Sequence, residues 1–261
     1  MLRILGEIGG NTVELSRTVA ADAVLGTQRF PYFPLAYDRH SIEIDLRGLP
    51  GEEQGVSDYY TAACAIIDQI VDKKLREGIE QDALRHLSVF AFARLPLLVY
   101  LGNKLDDTVP SHVFQRHRST ERWAWPETAG GKAQFETTTH REAVGTEAVL
   151  LLNSSGTVHE AEVPQSLREL PLYSIDVIGA AATMDVIDRP EVLARFEDTF
   201  RRLLSQLEAT NKGVLHLHVI GAYPVSAAVV LGRVRNPQVH PALVVCGRID
   251  NEYRAAIEVY R

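Results

Sequence analysis

Apolar residues along the chain form short continuous runs, which are typical of strands buried on both faces of a parallel sheet. Turn-forming residues separate these runs, and they recur at similar positions in the two halves of the chain. The runs predict strands over residues 41–46, 87–92, 111–115, 173–178, 215–220 and 242–246. Each half therefore contributes one set of strands in the same order.

Apolar stripes at helical spacing lie between the predicted strands. One stripe predicts a helix from Ser57 or Asp58, either of which is a good cap, to about residue 77. A second helix begins at Pro190, because proline is favoured in the first helical turn. A shorter helix follows the middle strand of each half and is expected to end at Gly102, as a C-cap glycine, and at Gly232. The order strand, helix, strand, helix, strand predicts an α/β fold made of two fused Rossmann-like halves.

An internal duplication supports this division into halves. A shift of 130 residues places residues 86–90 (HLSVF) over residues 216–220 (HLHVI) without a gap. The same shift aligns Leu101 with Leu231, Gly102 with Gly232, Val109 with Val239, Arg118 with Arg248 and Trp123 with Tyr253. A series of this length indicates two diverged copies, which we expect to be related by a pseudo-two-fold axis.

The predicted organisation is a single domain over residues 1–261. It comprises an N-terminal extension (1–40), a first half (41–126), a linker (127–145) and a second half (146–261). The linker is polar and rich in glycine, threonine and glutamate, which favours a flexible segment.

Two accessory β-hairpins are expected at the edges of the sheets. Residues 147–163 resemble a hairpin that turns at residues 153–156 (NSSG). Near the N-terminus, residues 9–11 (GGN) separate two short apolar runs and predict another turn.

Composition narrows the class of protein. The chain has 261 residues and a net charge of −7, which argues against broad binding to long nucleic acid. It has only two cysteines, Cys64 and Cys246, so a disulfide scaffold is not expected and a reducing cytoplasm fits best. The apolar runs are too short to span a bilayer, so we expect no membrane association.

Ligands of open parallel sheets bind at the carboxyl ends of the strands, where helix N-termini present free N–H groups. Two copies would bring four such loops together in one cleft, over residues 91–95, 115–118, 221–224 and 246–248. Arg118 and Trp123 have the chemistry of a nucleotide pocket, since arginine binds phosphate and tryptophan stacks on bases. The alternative is that the tryptophans only pack and the arginines are only solvated.

Other catalytic arrangements have less support. His216 and His218 lie on one face of a strand and resemble half of a zinc site, but no third ligand has sensible spacing, so a packed histidine pair is preferred. The sequence contains no nucleophile elbow, Walker A loop or dinucleotide fingerprint. We expect no catalytic residues, metal or cofactor in this chain.

The order of these motifs resembles a SAVED domain, over about residues 40–260. The resemblance rests on residues 90–98 (FAFARLPLL), 101–102 (LG), 113–115 (VFQ) and 123–125 (WAW) in the first half. In the second half it rests on residues 216–221 (HLHVIG) and 231–232 (LG). SAVED domains are CARF-like sensors of bacterial anti-phage systems, of the CBASS and type III CRISPR kinds.

The resemblance implies that a cyclic oligonucleotide, such as cyclic tri- or tetra-adenylate, binds in the cleft between the halves. Binding would drive assembly into a homo-oligomer, or a rearrangement, and activate an effector such as a nuclease, a TIR domain or a protease. The first 40 or so residues are too few for a catalytic domain, so we expect the effector to be a separate protein or missing from this chain.

Carried onto this sequence, the resemblance implies a ligand-binding set at the strand ends of both halves. Its members are Phe92, Ala93, Arg94, Gln115, Arg118, Trp123, Trp125, Gly221, Ala222, Tyr223, Arg248 and Tyr253. Two alternatives remain open. The chain could be a ring nuclease that degrades the cyclic oligonucleotide, or a mainly structural subunit of an oligomer.

Overall fold

The computed structural model describes residues 1–29, 42–81, 84–105, 109–127 and 130–260. The first sheet contains four parallel strands in the order β2-β1-β3-β4. Its strands are β1 (Leu2–Leu5), β2 (Ile42–Asp45), β3 (Leu87–Phe92) and β4 (Ser111–Phe114). The α/β fold class with a parallel sheet is therefore confirmed.

The second sheet has six strands in the order β10-β9-β8-β6-β7-β5. They are β5 (Gln134–Arg141), β6 (Glu147–Asn153), β7 (Leu172–Ile178), β8 (His216–Ala222), β9 (Ala242–Ile249) and β10 (Glu252–Val259). The four inner strands are parallel and have the order β7-β6-β8-β9, while β5 and β10 are antiparallel edge strands. The inner order repeats that of the first sheet.

Helices cover both sheets and form a shared core between them. They are α1 (Arg17–Leu25), α2 (Ser57–Ile70), α3 (Glu77–Glu80), α4 (Leu95–Leu105), α5 (Pro190–Thr210) and α6 (Val225–Val234). A π-helical segment (Val71–Arg76) joins α2 to α3, so the predicted long helix continues past residue 77. The apolar stripe of α5 is buried as the sequence predicts, including Phe196, Phe200 and Leu204.

Sequence analysis missed the first strand of each half. The predicted hairpin over residues 147–163 is wrong, because β6 runs parallel between β7 and β8. Nearly all of β6 is buried, which is the property of a central parallel strand rather than a hairpin arm. Residues 9–11 do form a tight turn, closed by an antiparallel bridge between Ile8 and Asn11, but β1 before it is an inner parallel strand.

The predicted N-terminal extension and linker both contribute regular structure. The extension supplies β1 and α1, although residues 30–41 lie outside the described part of the chain. Residues 134–141 of the predicted linker form β5, which pairs with β7. A clear hairpin joins β9 to β10, where Asp250 and Asn251 have φ angles of 50° and 64°. Positive φ at both turn residues is typical of the tight turns that connect antiparallel strands.

The two halves meet where α4 packs against α6. Gly102 and Gly232 lie inside these helices, so their predicted role as helix ends is wrong. A Cβ atom on Gly102 would lie 2.0 Å from the carbonyl oxygen of Val229, and one on Gly232 would lie 1.9 Å from that of Val99. The 130-residue shift converts one contact into the other, because it maps Val99 onto Val229 and Gly102 onto Gly232. Glycine is required at both positions because the helix backbones touch.

Candidate functional site

The carboxyl end of the first sheet reaches the helix of the second half through Gln115. This residue follows β4 and is only 4% exposed. Its side-chain oxygen accepts hydrogen bonds from the backbone N–H of Ser226 at 3.2 Å and from the Ser226 hydroxyl at 2.7 Å. Ser226 lies in the first turn of α6, so the loop after β4 is joined to the N-terminus of that helix.

The carboxyl end of the second sheet makes the opposite crossing. A Cβ atom on Gly247, in β9, would lie 3.9 Å from Pro96 in the first turn of α4 and 3.0 Å from the Tyr60 hydroxyl oxygen. One on Gly55, which precedes α2, would lie 2.5 Å from the side chain of Ile249. The loops at the strand ends of each half therefore touch elements of the other half.

Arg118 follows Gln115 by three residues and has an exposed side chain. The backbone N–H groups of Arg118 and Ser119 donate to the Asp185 carboxylate at 2.5 and 2.9 Å. Burial raises the pKa of Asp185, but these hydrogen bonds outweigh it and lower the pKa overall. Within the described ranges no carboxylate forms an ion pair with the Arg118 guanidinium. The loop backbone is thus held in place while the side chain remains available.

The Arg94 side chain is already engaged. Arg94 follows β3, and its Nε donates to the Glu52 carboxylate at 2.7 Å in a pair whose side chains are 11% and 5% exposed. A second guanidinium nitrogen donates to the carbonyl of Glu53 at 3.2 Å. The backbone N–H groups of Gly9 and Gly10 also donate to Glu52, at 3.1 and 3.3 Å. Glu52 therefore joins three loops at the carboxyl edge of the first sheet.

Both sheets have a backbone contact at this edge, and in the first sheet the N–H of Gly6, after β1, donates to the carbonyl of Phe92 at 2.6 Å. In the second sheet the N–H groups of Ser154 and Ser155, after β6, donate to the carbonyl of Ala222 at 3.0 and 2.8 Å. Beside them the Asn153 side chain donates to Asp176 at 2.7 Å. This edge holds polar groups but has no buried ion pair among the described residues.

The aromatic residues of the predicted site differ in exposure. Trp123 is wholly buried, with its indole N–H donated to the Glu14 carbonyl at 3.3 Å and its ring edge-on to Phe90. Truncating such a ring costs about 3–5 kcal/mol of stability, so Trp123→Ala does not separate binding from folding. Trp125 is only half-buried and stacks on Phe114.

Comparison with known protein families identifies the family of this chain. A family-level sequence comparison matches residues 67–259 to SAVED, the "SMODS-associated and fused to various effectors sensor domain". The chain belongs to the SAVED family. This confirms the resemblance drawn from the sequence, since the match covers well over half of the chain.

Solved structures similar to this SAVED domain share its fold. The Acinetobacter baumannii Cap4 SAVED/CARF-domain receptor with the cyclic trinucleotide 2'3'3'-cAAA has a TM-score of 0.60, 16% identity and a match to 83% of this chain. The Moraxella osloensis Cap4 receptor has a TM-score of 0.55, 18% identity and a match to 85% of this chain. Each match spans 48% of the receptor, so this chain covers about half of the length of either receptor. No curated protein matches the chain.

The structure places the predicted site residues in three environments. Arg118, Arg248 and Trp125 have exposed or partly exposed side chains, and Arg248 pairs with Glu162 at 3.0 Å. Phe92, Arg94, Gly221 and Ala222 are partly buried at the strand ends. The buried members are Ala93, Gln115, Trp123, Tyr223 and Tyr253. Their part in binding stays a prediction.

Sequence analysis missed several residues that build this edge. The Glu52-Glu53 pair has the pattern of solvated acids in a surface turn, Asp185 stands in no recognisable motif, and the Gly9-Gly10 turn predicts a hairpin. The only local signal was the pair of glycines, whose φ angles of 57° and 72° expose consecutive N–H groups. Ser226 gave no signal, because its role depends on Gln115, which is distant in sequence.

Groups outside this edge have structural partners. His216 and His218 lie beside Glu258 and Glu147, at 3.1 and 2.8 Å. Burial raises the pKa of Cys64 and of Cys246 to about 12, so at neutral pH both thiols are protonated and unreactive. In the described ranges no helix is both long and apolar enough to cross a membrane.

A cleft of about 510 Å³ lies between α2, α4 and β10. Its lining includes Cys64, Asp68, Tyr100 and Lys104. Both the Tyr100 hydroxyl and the Lys104 ammonium bond to Asp68 at 2.8 Å, so these three polar groups are partners of one another. None of the predicted ligand-binding residues lines this cleft.

Proposed function

We propose that this SAVED domain is a non-enzymatic sensor that binds a cyclic oligonucleotide, such as cyclic tri- or tetra-adenylate, between its two halves. The observation that carries the proposal is the double crossing of the strand ends, from Gln115 to Ser226 and from Gly247 to Pro96. It makes one edge from four loops and two helix N-termini, where anionic groups bind well.

The chemistry around this edge supports a phosphate-bearing ligand. Arg118 offers an exposed guanidinium on a loop that Asp185 holds in place, and Trp125 offers a partly exposed ring on the same segment. Arginine binds phosphate oxygens in bidentate fashion and tryptophan stacks on bases. The Acinetobacter baumannii Cap4 receptor of similar fold is described with the cyclic trinucleotides 2'3'3'-cAAA and 3'3'3'-cAAA, which supports the same ligand class here.

Signalling would follow from the junction between the halves. A ligand that contacts the first turns of α4 and α6 would touch both helices of the junction. These helices are in backbone contact at Gly102 and Gly232. A small change in their arrangement would alter both sheets and present a new surface for assembly. We propose that this drives homo-oligomer formation and activates an effector in anti-phage defence.

Thermal unfolding against cyclic di-, tri- and tetranucleotides tests the proposal. A ligand present at 100 times its Kd adds about 2.7 kcal/mol of stability, which raises Tm by about 5–10 °C for a domain of this size. Arg118→Ala should abolish the shift without changing Tm of the ligand-free protein. Lys212→Ala is the matched control, because this exposed cation precedes β8 at the opposite edge of the sheet.

Each outcome separates the proposal from its alternatives. A shift with one ring size, lost in Arg118→Ala and retained in Lys212→Ala, supports the sensor. Loss of intact ligand on incubation would instead indicate a ring nuclease. The absence of a shift with every ring, together with ligand-independent assembly in light scattering, would favour a structural subunit.

A further inference from the structure

We propose that the Glu52 carboxylate occupies a phosphate subsite of this domain and that a phosphodiester group of the ligand binds there by displacing it. The identity of that ligand rests on the proposed function, whereas the anion site itself does not. The site is formed by Arg94, Gly9 and Gly10, which all donate to Glu52.

The topology of the first sheet places this cluster where open α/β sheets bind ligands. The chain leaves β1 towards α1 on one face of the sheet and leaves β3 towards α4 on the other face. A crevice therefore opens between the carboxyl ends of β1 and β3, the topological switch point. The Gly9-Gly10 turn follows β1 and Arg94 follows β3, so Glu52 lies across this crevice.

The donors around Glu52 form an anion cradle. Two consecutive backbone N–H groups point at the two carboxylate oxygens, and the guanidinium Nε adds a charged donor at 2.7 Å. The positive φ angles of Gly9 and Gly10 make this convergence possible, because side chains disfavour that conformation. Phosphate oxygens accept the same donors, so a phosphate replaces the carboxylate without loss of partners.

A further donor lies beside the cradle. The Tyr59 hydroxyl is buried and has no hydrogen-bond partner within the described part of the chain. Burial and the nearby Glu52 carboxylate both raise its pKa, so it is a neutral donor at physiological pH. Buried polar groups normally have partners. A phosphate, which has more oxygens than a carboxylate, supplies an acceptor that Glu52 does not.

Glu52, the residue that occupies the anion site, belongs to a loop that also contacts the second half. Glu52 lies between β2 and α2, in a loop where Gly48, Gly51 and Gly55 all have positive φ angles. Gly55 packs against Ile249 at the end of β9. Displacement of Glu52 would therefore move a loop that touches the other half, which couples the anion site to the junction.

Among the described residues, no aspartate or glutamate of the second half is buried as Glu52 is. There the N–H groups of Ser154 and Ser155 donate to the Ala222 carbonyl, which is part of β8. In the first half the Gly6 N–H donates to the Phe92 carbonyl in the same way, so this backbone contact is common to both halves. Among the described residues, the buried carboxylate that a phosphate could displace belongs to the first half.

Glu52→Gln tests the proposal, with Glu53→Gln as the matched control. Both substitutions remove one negative charge at neighbouring positions, but only the Glu52 side chain accepts from the cradle. Binding of inorganic phosphate is measured by calorimetry and by Tm, against chloride at equal ionic strength. We expect Glu52→Gln to bind phosphate at least 10-fold more tightly than wild type, and Glu53→Gln to resemble wild type.

Two further variants keep the test decisive. Arg94→Gln in the Glu52→Gln background should abolish the gain, because the charged donor is removed. Glu52→Asp, which keeps the charge but withdraws it from the cradle, should also bind phosphate more tightly than wild type and provides the test if Glu52→Gln does not fold. Unchanged phosphate affinity in the folded Glu52 variants overturns the proposal.

Cyclic tri-adenylate separates this proposal from the proposed function. If wild type binds this ring and the Glu52 variants bind it no better, the sensor stands and the displacement is refuted. If no protein binds any ring while Glu52→Gln gains phosphate affinity, the anion site stands and the proposed ligand class is refuted.

Discussion

The two halves share a strand order and a backbone contact at their carboxyl edges, yet only the first half adds a buried ion pair among the described residues. In the first half a buried ion pair between Glu52 and Arg94 joins three loops. Both halves also have a backbone contact there, since the Phe92 carbonyl accepts from the Gly6 N–H and the Ala222 carbonyl accepts from two backbone N–H groups. A backbone contact carries no net charge and requires no particular side chain. The comparison teaches that duplication preserved the sheet while loop chemistry diverged, leaving the charged edge in one copy.

The junction is the place where the halves remain equivalent, and breaking it should have the largest effect. Gly102→Ala and Gly232→Ala would each place a Cβ about 2 Å from a carbonyl oxygen of the facing helix. Because backbone must move, we expect each substitution to cost about 3 kcal/mol or more. Urea unfolding measures the loss.

Gly145→Ala is the control for these substitutions, since its nearest non-neighbouring atoms lie 3.8 Å or more from a Cβ. Equal losses of unfolding free energy at Gly102 and Gly232 would show that the two reciprocal helix contacts stabilise the protein equally. A small loss at either position would contradict the close backbone contact there.

The two edges should differ sharply when an arginine is neutralised. Arg94→Gln removes the charged hydrogen-bond donor of buried Glu52 but leaves its two backbone donors, so we expect a loss of about 2–3 kcal/mol. Arg248→Gln breaks a pair whose side chains are 49% and 27% exposed, so its loss should be at most about 1 kcal/mol. Urea unfolding at low and moderate salt measures both, and similar losses would contradict the contrast between the edges.

The smallest expected effect is a response to acid at the edge of the first half. Burial lowers the pKa of His117, despite the opposing effect of Asp185 and Asp188. The unfolded chain takes up a proton below the ordinary histidine pKa of about 6.5, whereas the folded protein resists it. Stability should therefore fall as the pH drops from 7 towards 5.

His117→Gln should reduce that fall, measured as Tm against pH. His86 also contributes to the acid response, because burial lowers its pKa to about 4, and it remains in both proteins. Identical slopes for wild type and His117→Gln would show that His117 titrates normally in the folded state.

Periodic patterns determined much of the fold. The apolar stripe of α5 and the apolar runs of β3 and β8 predict these elements correctly. An element that is buried on one or both faces has apolar residues at a regular spacing, which the sequence shows directly. The 130-residue repeat likewise located the two halves. By contrast, β1 has only four residues and β6 precedes a turn signal, so neither carried an unambiguous local pattern.

The site depended far more on tertiary structure. Gly102 has the same local signature as a helix end or as a close helix contact, and only α6 decides between them. Glu52 resembles any surface acid until Arg94, 42 residues away, buries it. The sequence pattern around Trp123 suits a base-stacking ring or a core ring equally well, and only the tertiary structure shows that the ring is buried against Phe90. By itself the sequence determined the order of most elements, without β1 and β6, and also the duplication and the family, because these follow from local periodicity and repetition. The tertiary structure alone decided which charges are buried and which are available, because burial depends on residues that the chain brings together over long distances.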